Sequence, residues 1–371
     1  MQKLLILRTL LDLNLKRHYY IFTPGKLRKK ANTIYFEPFS DIDPIDNENL
    51  HDQILISIDS DFKETDSSVK SVIPIEDIDS IFIMTESSFN TKFLEFCSKN
   101  NIPVHFFNYF GFYTGSFYPK EYLLSGSLLV KQVKHHINKT KRLNIAKLIL
   151  QGAAFNLNKN LKYYNNRNRD LQSQIEKIES LMAGIPKAND TKELMGIEGN
   201  IRKIYYSSFE IILGDDFKII ARTYKPPSNP INALISFGNS LVYTTVLSEI
   251  YRTQLNPTIS FLHEPGERRF SLALDLAEIF KPLLADRVIF KLINNKQIQS
   301  HDFDSELNGS YLKQSARKTF VSELDTKLKT VIKHRKLTRE VSYRRIIRLE
   351  CYKLIKHLIG DTPYEPFKIW W

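Results

Sequence analysis

Two textures of hydrophobic patterning divide the chain. From Asn32 to about Gly115, short runs rich in Ile, Val and Phe alternate with Asp, Asn, Ser and Pro; "NTIYFEP", "ILISID", "SVIPI" and "SIFIMT" are the clearest. Short apolar runs bounded by turn residues predict β-strands. Within this region "NTKFLEFCSKNN" sets Phe93, Phe96 and Cys97 on one helical face. "IPVHFFNYFGFYTGSFYP" reads as a last strand and an aromatic turn. After Pro119 the apolar residues recur every three or four positions, as in "KRLNIAKLILQGAAFNLNKNLKYY" and "RDLQSQIEKIESLMAG". That period predicts helices, at about 189–213, 231–254, 270–294, 311–335 and 338–359. The expected fold is α+β: a mostly β N-terminal domain, then a larger all-α domain, with the boundary near 115–125.

A length of 371 residues agrees with two domains, and 42% hydrophobic residues suffice for real cores. Cys97 and Cys351 are the only cysteines, which excludes a disulfide framework and a multi-thiolate zinc site and fits a reducing, cytoplasmic setting. No apolar run is long enough to span a bilayer, so no membrane is expected. The opening "MQKLLILRTLLDLNLKR" is interrupted by Arg8 and Asp12, with no small-residue cleavage site after it, and does not read as a signal peptide.

Charge changes the picture. The net is +12, and it is unevenly spread. Residues 41–90 carry thirteen acids against Lys63 and Lys70, net −11. Residues 131–169 carry ten bases and no acid, and residues 313–356 fourteen bases and four acids, each net +10. Two dense basic clusters predict a face for a polyanion, of which nucleic acid is the commonest. The acidic segment suits a protein partner instead. A plain solvated surface is the alternative for any one run.

Candidate chemistry lies in "FLHEPGERRFSLALDLAEIFKP", Phe261–Pro282. Pro265-Gly266 breaks the chain before a helix starting near Phe270 or Ser271, so His263 sits in the loop entering it. Asp275 and Glu278, three apart, share a helix face. One imidazole and several carboxylate oxygens suit Mg²⁺ or Mn²⁺ better than zinc. The plainer alternative pairs Glu278 with Lys281 and Asp275 with Arg268 or Arg269. A third acid, Glu198, stands between Gly196 and Gly199 in "ELMGIEGNIRKIYYSSFEIIL". There Ile197, Ile201, Ile204 and Phe209 form the expected buried stripe, and Glu198, Arg202 and Tyr205 a neighbouring one. An Arg202–Glu198 pair accounts for the acid but not for two glycines, each costing a helix ~1 kcal/mol relative to alanine. The glycines point to a close approach at that turn.

"LMGIEGNIRKIYY", the long segment "NPINALISFGNSLVYTTVLSEIYRTQLNPTISFLHEPGERRFSLALDLAEIFKPLLADRVIF" and "RKTFVSELDTKLKTVIKHRKLTREVSYRRIIRLECYKLIKHLIG" together resemble the CRISPR spacer-acquisition integrases, the first of the two core CRISPR adaptation proteins. "YYIFTPGKLRKKANTIYFEP" and "IPVHFFNYFGFYTGSFYP" look like that family's N-terminal β domain, and "FKIWW" and other details look most like the type I-B branch. The resemblance covers about 18–371 in order. It implies an unassigned extension at 1–17, a dimerising β domain at 18–118 and a helical catalytic and DNA-binding domain at 119–371.

The resemblance also implies a metal site of Glu198 in "GIEG", His263 in "FLH" and Glu278 in the D-L-x-E pattern, with Asp275 as supporting acid. The family often reads "DLMEEFRP" where this chain has "DLAEIFKP", so the site is not extended to Ile279 or Lys281. It further implies a homodimer working with a small ferredoxin-like second adaptation protein. Substrates would be a short foreign DNA duplex and the CRISPR repeat, joined by attack of a 3′-hydroxyl on a phosphodiester with Mg²⁺ or Mn²⁺. Candidate DNA contacts are Arg202, Tyr205, Arg268, Arg269, Arg344 and Arg345. Arg268 and Arg269 have an alternative in pairing with Glu264 or Glu267, and Tyr205 in burial with a satisfied hydroxyl. Competing functions are a general nuclease on branched or double-stranded DNA and a capture scaffold without turnover.

Overall fold

The computed structural model describes residues 16–39, 71–214, 217–219, 221–223, 226–266, 270–306, 309–333 and 338–370. The expected strand "ILISID", most of the acidic run, and Arg268 and Arg269 lie outside these residues. The chain divides into two compact units between Tyr122 and Leu123.

The first unit carries two four-stranded sheets. One has the order β1 (Arg17–Ile21), β5 (Ile78–Ile83), β7 (Val104–Phe107), β8 (Tyr113–Phe117); its first three strands are parallel and the fourth antiparallel. The other is β4 (Ser71–Pro74), β3 (Thr33–Pro38), β2 (Gly25–Lys30), β6 (Ser87–Phe89). Ile21, Leu27, Ile34, Phe36, Ile81 and Val104 from both sheets share one core. Helix α1 (Thr91–Lys99) adds Phe93, Phe96 and Cys97 to it, capped by the Asn90 side chain, which accepts from the Phe93 amide at 3.1 Å. Strands β1 and β2 carry no clean apolar run, and hydrophobic pattern alone starts the strand region later, at Asn32. "RHYYI" and "GKLRKK" are strands because of the neighbours they pair with.

The second unit is built on helices: α2 (Gly126–Ile137), α3 (Lys139–Asn165), α4 (Gln172–Gly184), α5 (Thr191–Ser207), α6 (Phe209–Leu213), α7 (Pro230–Tyr251), α8 (Ser271–Lys281), α9 (Arg287–Asn294), α10 (Gln314–Lys329) and α11 (Tyr343–Ile359). The expected helical region also carries short strands. Two antiparallel ribbons pair β9 (Phe303–Glu306) with β10 (Gly309–Leu312) and β11 (Val331–Lys333) with β12 (Glu340–Ser342); β10, β11 and β12 take the ends of the helices expected at 311–335 and 338–359. Short β-branched and aromatic runs at helix ends are ambiguous by period alone.

α3 packs against both α5 and α8, and α7 against α8. Nearly every side chain of α8 is buried, Asp275 and Glu278 included. Its first turn has no capping side chain of its own; the Phe270 amide donates to the Tyr243 hydroxyl of α7 at 3.0 Å. The helix expected at 270–294 runs through, but with a π turn at Pro282–Asp286. Pro282 has no N–H to continue the α ladder. Two asparagines of α3 serve carbonyls around the break: Asn156 Nδ2 donates to the Ile279 oxygen at 3.0 Å and Asn160 Nδ2 to the Pro282 oxygen at 2.7 Å.

Candidate metal centre

The site is assembled from one loop and two helices. In the loop, the Phe261 and Leu262 amides donate to Asp275 Oδ2 at 2.6 and 2.9 Å, and the His263 amide donates to Oδ1 at 2.9 Å. His263 Nδ1 donates to the same Oδ1 at 2.8 Å. Asp275 is fully buried, so these four donors are what makes its charge tolerable there. The alternative pairing of Asp275 with Arg268 or Arg269 is not needed; the aspartate is occupied by the "FLH" backbone. With Nδ1 committed to Asp275, Nε2 is the ring nitrogen left for a ligand.

The loop is stapled from behind. Arg142 of α3 donates through Nε to the Phe261 oxygen at 2.9 Å and through Nη2 to Glu264 at 2.8 Å. Gln132 of α2 donates to the Asn256 and Ile259 oxygens, both at 2.9 Å, and His136 to the Ser260 oxygen at 2.7 Å. His135 donates to the Lys131 oxygen at 2.8 Å. His136 thus holds the backbone of the loop, whereas His135 bonds only its own helix.

Helix α5 starts at Asp190, whose side chain accepts from the Glu193 amide at 2.8 Å. Its inward face is Leu194, Glu198, Ile201 and Tyr205. The expected stripe is thus displaced: Ile197 and Ile204 are half-buried, and the acid and the tyrosine point inward. Tyr205 is wholly buried, donates its hydroxyl to Asp286 at 3.0 Å and receives Asn160 Nδ2 at 3.1 Å. That removes it from the candidate DNA contacts. Burial pushes its phenol well above the usual value, and it pushes the Asp286 carboxyl up to about 7. The glycines flanking Glu198 are exposed, and a Cβ at either would meet nothing within 4 Å. Among the described residues nothing makes the close approach expected there.

Glu198 and Glu278 line one cleft together with Arg202, Tyr206, Lys281 and Asp286. Arg202 Nε donates to Glu198 Oε1 at 2.5 Å, and its Nη2 lies against Glu278 Oε2. Lys281 Nζ takes Glu278 Oε1 at 2.6 Å. Burial alone would raise the Glu198 carboxyl, but the charge and hydrogen bond of Arg202 outweigh it and hold the group below its usual value. Burial, followed by the charge of Arg202, lowers the Lys281 ammonium to about 8. Lys281, left out of the expected site, lines the same cleft.

Two buried carboxylates and an imidazole oriented by an aspartate are a hard-oxygen set with one nitrogen, the donor chemistry that Mg²⁺ or Mn²⁺ takes. Among the described residues, however, no three acidic, histidine or cysteine side chains stand close enough to hold an ion as they are. Cationic side chains occupy the carboxylates instead. The remaining described candidates, Arg344 and Arg345, are half-buried in the first turn of α11; Arg348, farther along that helix, donates to the buried Glu249 at 2.6 Å, a packing role.

Comparison with known proteins follows this geometry. The family model for the CRISPR associated protein Cas1 matches residues 19–326. The chain belongs to the Cas1 family. It is 46% identical over 358 residues to the CRISPR-associated endonuclease Cas1 of Fusobacterium nucleatum, covering 96% of this chain and 98% of that one. It is 49% identical over 355 residues to a CRISPR-associated endonuclease Cas1 of Thermodesulfovibrio yellowstonii, covering 96% and 100%. The solved structure of a Cas1 protein from Thermotoga maritima has a TM-score of 0.78 at 39% identity over 94% of this chain and 99% of that one. The chain is therefore a CRISPR-associated nuclease, and Cas1 membership implies that it depends on a divalent metal. Among the described residues no helix is long and apolar enough to cross a membrane.

Proposed function

We propose that Glu198, His263 through Nε2, and Glu278 hold one Mg²⁺ or Mn²⁺ ion, and that this centre joins the 3′-hydroxyl ends of a short DNA duplex to a CRISPR repeat. The observation that carries it is that two buried carboxylates, from α5 and α8, line one cleft, and that the charge of His263, which Asp275 orients, reaches Glu198. The joining step forms a bond from the 3′-oxygen to a target phosphorus and breaks that phosphorus's bond to its own 3′-oxygen. The hydroxyl's proton leaves and the displaced oxygen gains one. An ion bound there supplies Lewis-acid charge for the phosphate and lowers the pKa of the attacking hydroxyl.

The chain's own residues do the rest. Asp275 fixes the histidine tautomer and its orientation. Arg142, Gln132 and His136 hold the loop that carries the histidine. The basic clusters at 131–169 and 313–356 supply phosphate contacts for DNA of any sequence, so duplex affinity falls steeply with salt. The homodimer, the small ferredoxin-like partner protein and the type I-B assignment rest on the family resemblance.

The test is Mn²⁺-dependent joining of a 3′-hydroxyl duplex to a supercoiled target. Glu198→Ala and His263→Ala are expected to abolish joining while duplex binding stays near wild type. Full joining in both variants would overturn the site, and cleavage without joining in the wild type would favour a general nuclease.

A further inference from the structure

We propose that Arg202 and the divalent ion are alternative occupants of the same two carboxylates, and that ion binding releases the guanidinium to a DNA phosphate. This rests on the assignment of Glu198, His263 and Glu278 as the metal ligands.

Four observations carry it. The Arg202 fork bridges the helices: Nε is on Glu198 Oε1 and Nη2 on Glu278 Oε2. Lys281 takes the other Glu278 oxygen, so among the described residues three of the four carboxylate oxygens face cationic nitrogen. No three-donor cage exists while this arrangement holds. Finally, the two cations differ in freedom. The Arg202 side chain keeps 27% of its exposure, against 13% for Lys281 and 5% for Glu278. Arg202 is the one with a way out, along the cleft wall where its Nη1 meets the Tyr206 hydroxyl at 3.3 Å.

Charge dictates the exchange. Two buried carboxylates are neutralised by two cations, and a buried ion pair holds only while opposite charges balance. Adding a doubly charged ion with both cations in place would leave four positive charges against two negative. The more exposed cation must go. A guanidinium turned out of the pair keeps its planar fork and its charge at every working pH, which suits bidentate capture of a phosphate. It would emerge one turn along α5 from Glu198, on the helix whose Gly199 leaves open space. Metal and DNA then bind with positive coupling, and the factor is the same in both directions.

The experiment is a Mn²⁺ titration of the full chain followed by electron paramagnetic resonance of the free ion, with and without a DNA duplex. It uses the wild type, Arg202→Gln, Arg202→Lys and Glu198→Gln, each checked by thermal melting. Without DNA, an ion that must first displace a plug occupying about nine-tenths of molecules binds about 10-fold more weakly than one that need not. Arg202→Gln and Arg202→Lys are therefore both expected to bind Mn²⁺ about 10-fold more tightly than wild type. Arg202→Lys keeps the charge but loses the fork, so it separates plugging from general repulsion and stands in if Arg202→Gln fails to fold. Duplex is expected to tighten Mn²⁺ binding in the wild type and not in the Arg202 variants. Equal or weaker binding by Arg202→Lys would overturn the exchange, and if Glu198→Gln still abolished binding the metal site itself would stand. Unchanged binding in Glu198→Gln would overturn the site assignment on which the exchange rests.

Discussion

One carboxylate oxygen, Asp275 Oδ1, receives both the backbone amide of His263 at 2.9 Å and its ring Nδ1 at 2.8 Å. The aspartate therefore sets the position of the loop and the direction of the imidazole at once. A helix residue twelve positions later in the chain decides which ring nitrogen is left for another partner.

Asp275→Asn tests that coupling. An amide offers one acceptor oxygen and one donor nitrogen, so it cannot serve all four loop donors. At least one buried N–H is left facing an NH₂ group, at a cost of ~1–3 kcal/mol in stability. Loss of an orienting partner for a metal-bound histidine typically weakens metal affinity or activity about 10–100-fold. The variant should therefore melt lower and join DNA at least about 10-fold more slowly; wild-type values of both would separate Asp275 from the site.

Gly199→Ala is expected to fold at least as well as wild type. Its Cβ meets nothing within 4 Å, and alanine favours a helix interior by ~1 kcal/mol. Denaturant melting checks this. If the open face of α5 receives DNA, duplex affinity falls in the same variant while stability rises. A gain in stability with unchanged affinity would place the DNA elsewhere.

Asp286 carries a pH prediction. Burial raises its carboxyl from 3.8 to about 7, with the Tyr205 hydrogen bond and then the charges of Arg202 and Lys281 pulling it partly back. The folded chain holds this proton more tightly than the unfolded chain does. The resulting stabilisation is full below the unfolded pKa and is lost as pH rises through about 7. Asp286→Asn mimics the protonated form and does not titrate. Relative to wild type it should gain on the order of 1–3 kcal/mol between pH 4 and 8, read from urea melts at both ends. No change in the difference would mean that the carboxyl stays ionised in the folded state.

The hydrophobic period was enough to find α5 and α8 and to place Glu198, Asp275 and Glu278 on them, because each acid lies within or beside an apolar stripe at helical spacing. It could not decide what the acids face. Arg202 and Lys281 are each within one turn of a candidate ligand, so a surface pair and a metal-site cation look alike along the chain. Tyr205 shows the same ambiguity: only the packing of α3 and the π turn against it determines that its hydroxyl goes to Asp286 and Asn160. Arg142 was not legible at all. Its partners Phe261 and Glu264 lie about 120 residues away, and nothing in a lone arginine on a basic helix announces a backbone carbonyl and a carboxylate on the loop. The β ribbons at 303–312 and 331–342 were hidden because they are three or four residues long and flank real helices.

Crystals of the chain soaked in Mn²⁺ and measured at the manganese edge test the central claim most directly. The account predicts one anomalous peak bounded by Glu198, His263 Nε2 and Glu278 at roughly 2.0–2.3 Å, with the Arg202 guanidinium turned out of the carboxylate pair. A manganese peak away from these three side chains, or none at saturating Mn²⁺, would contradict it.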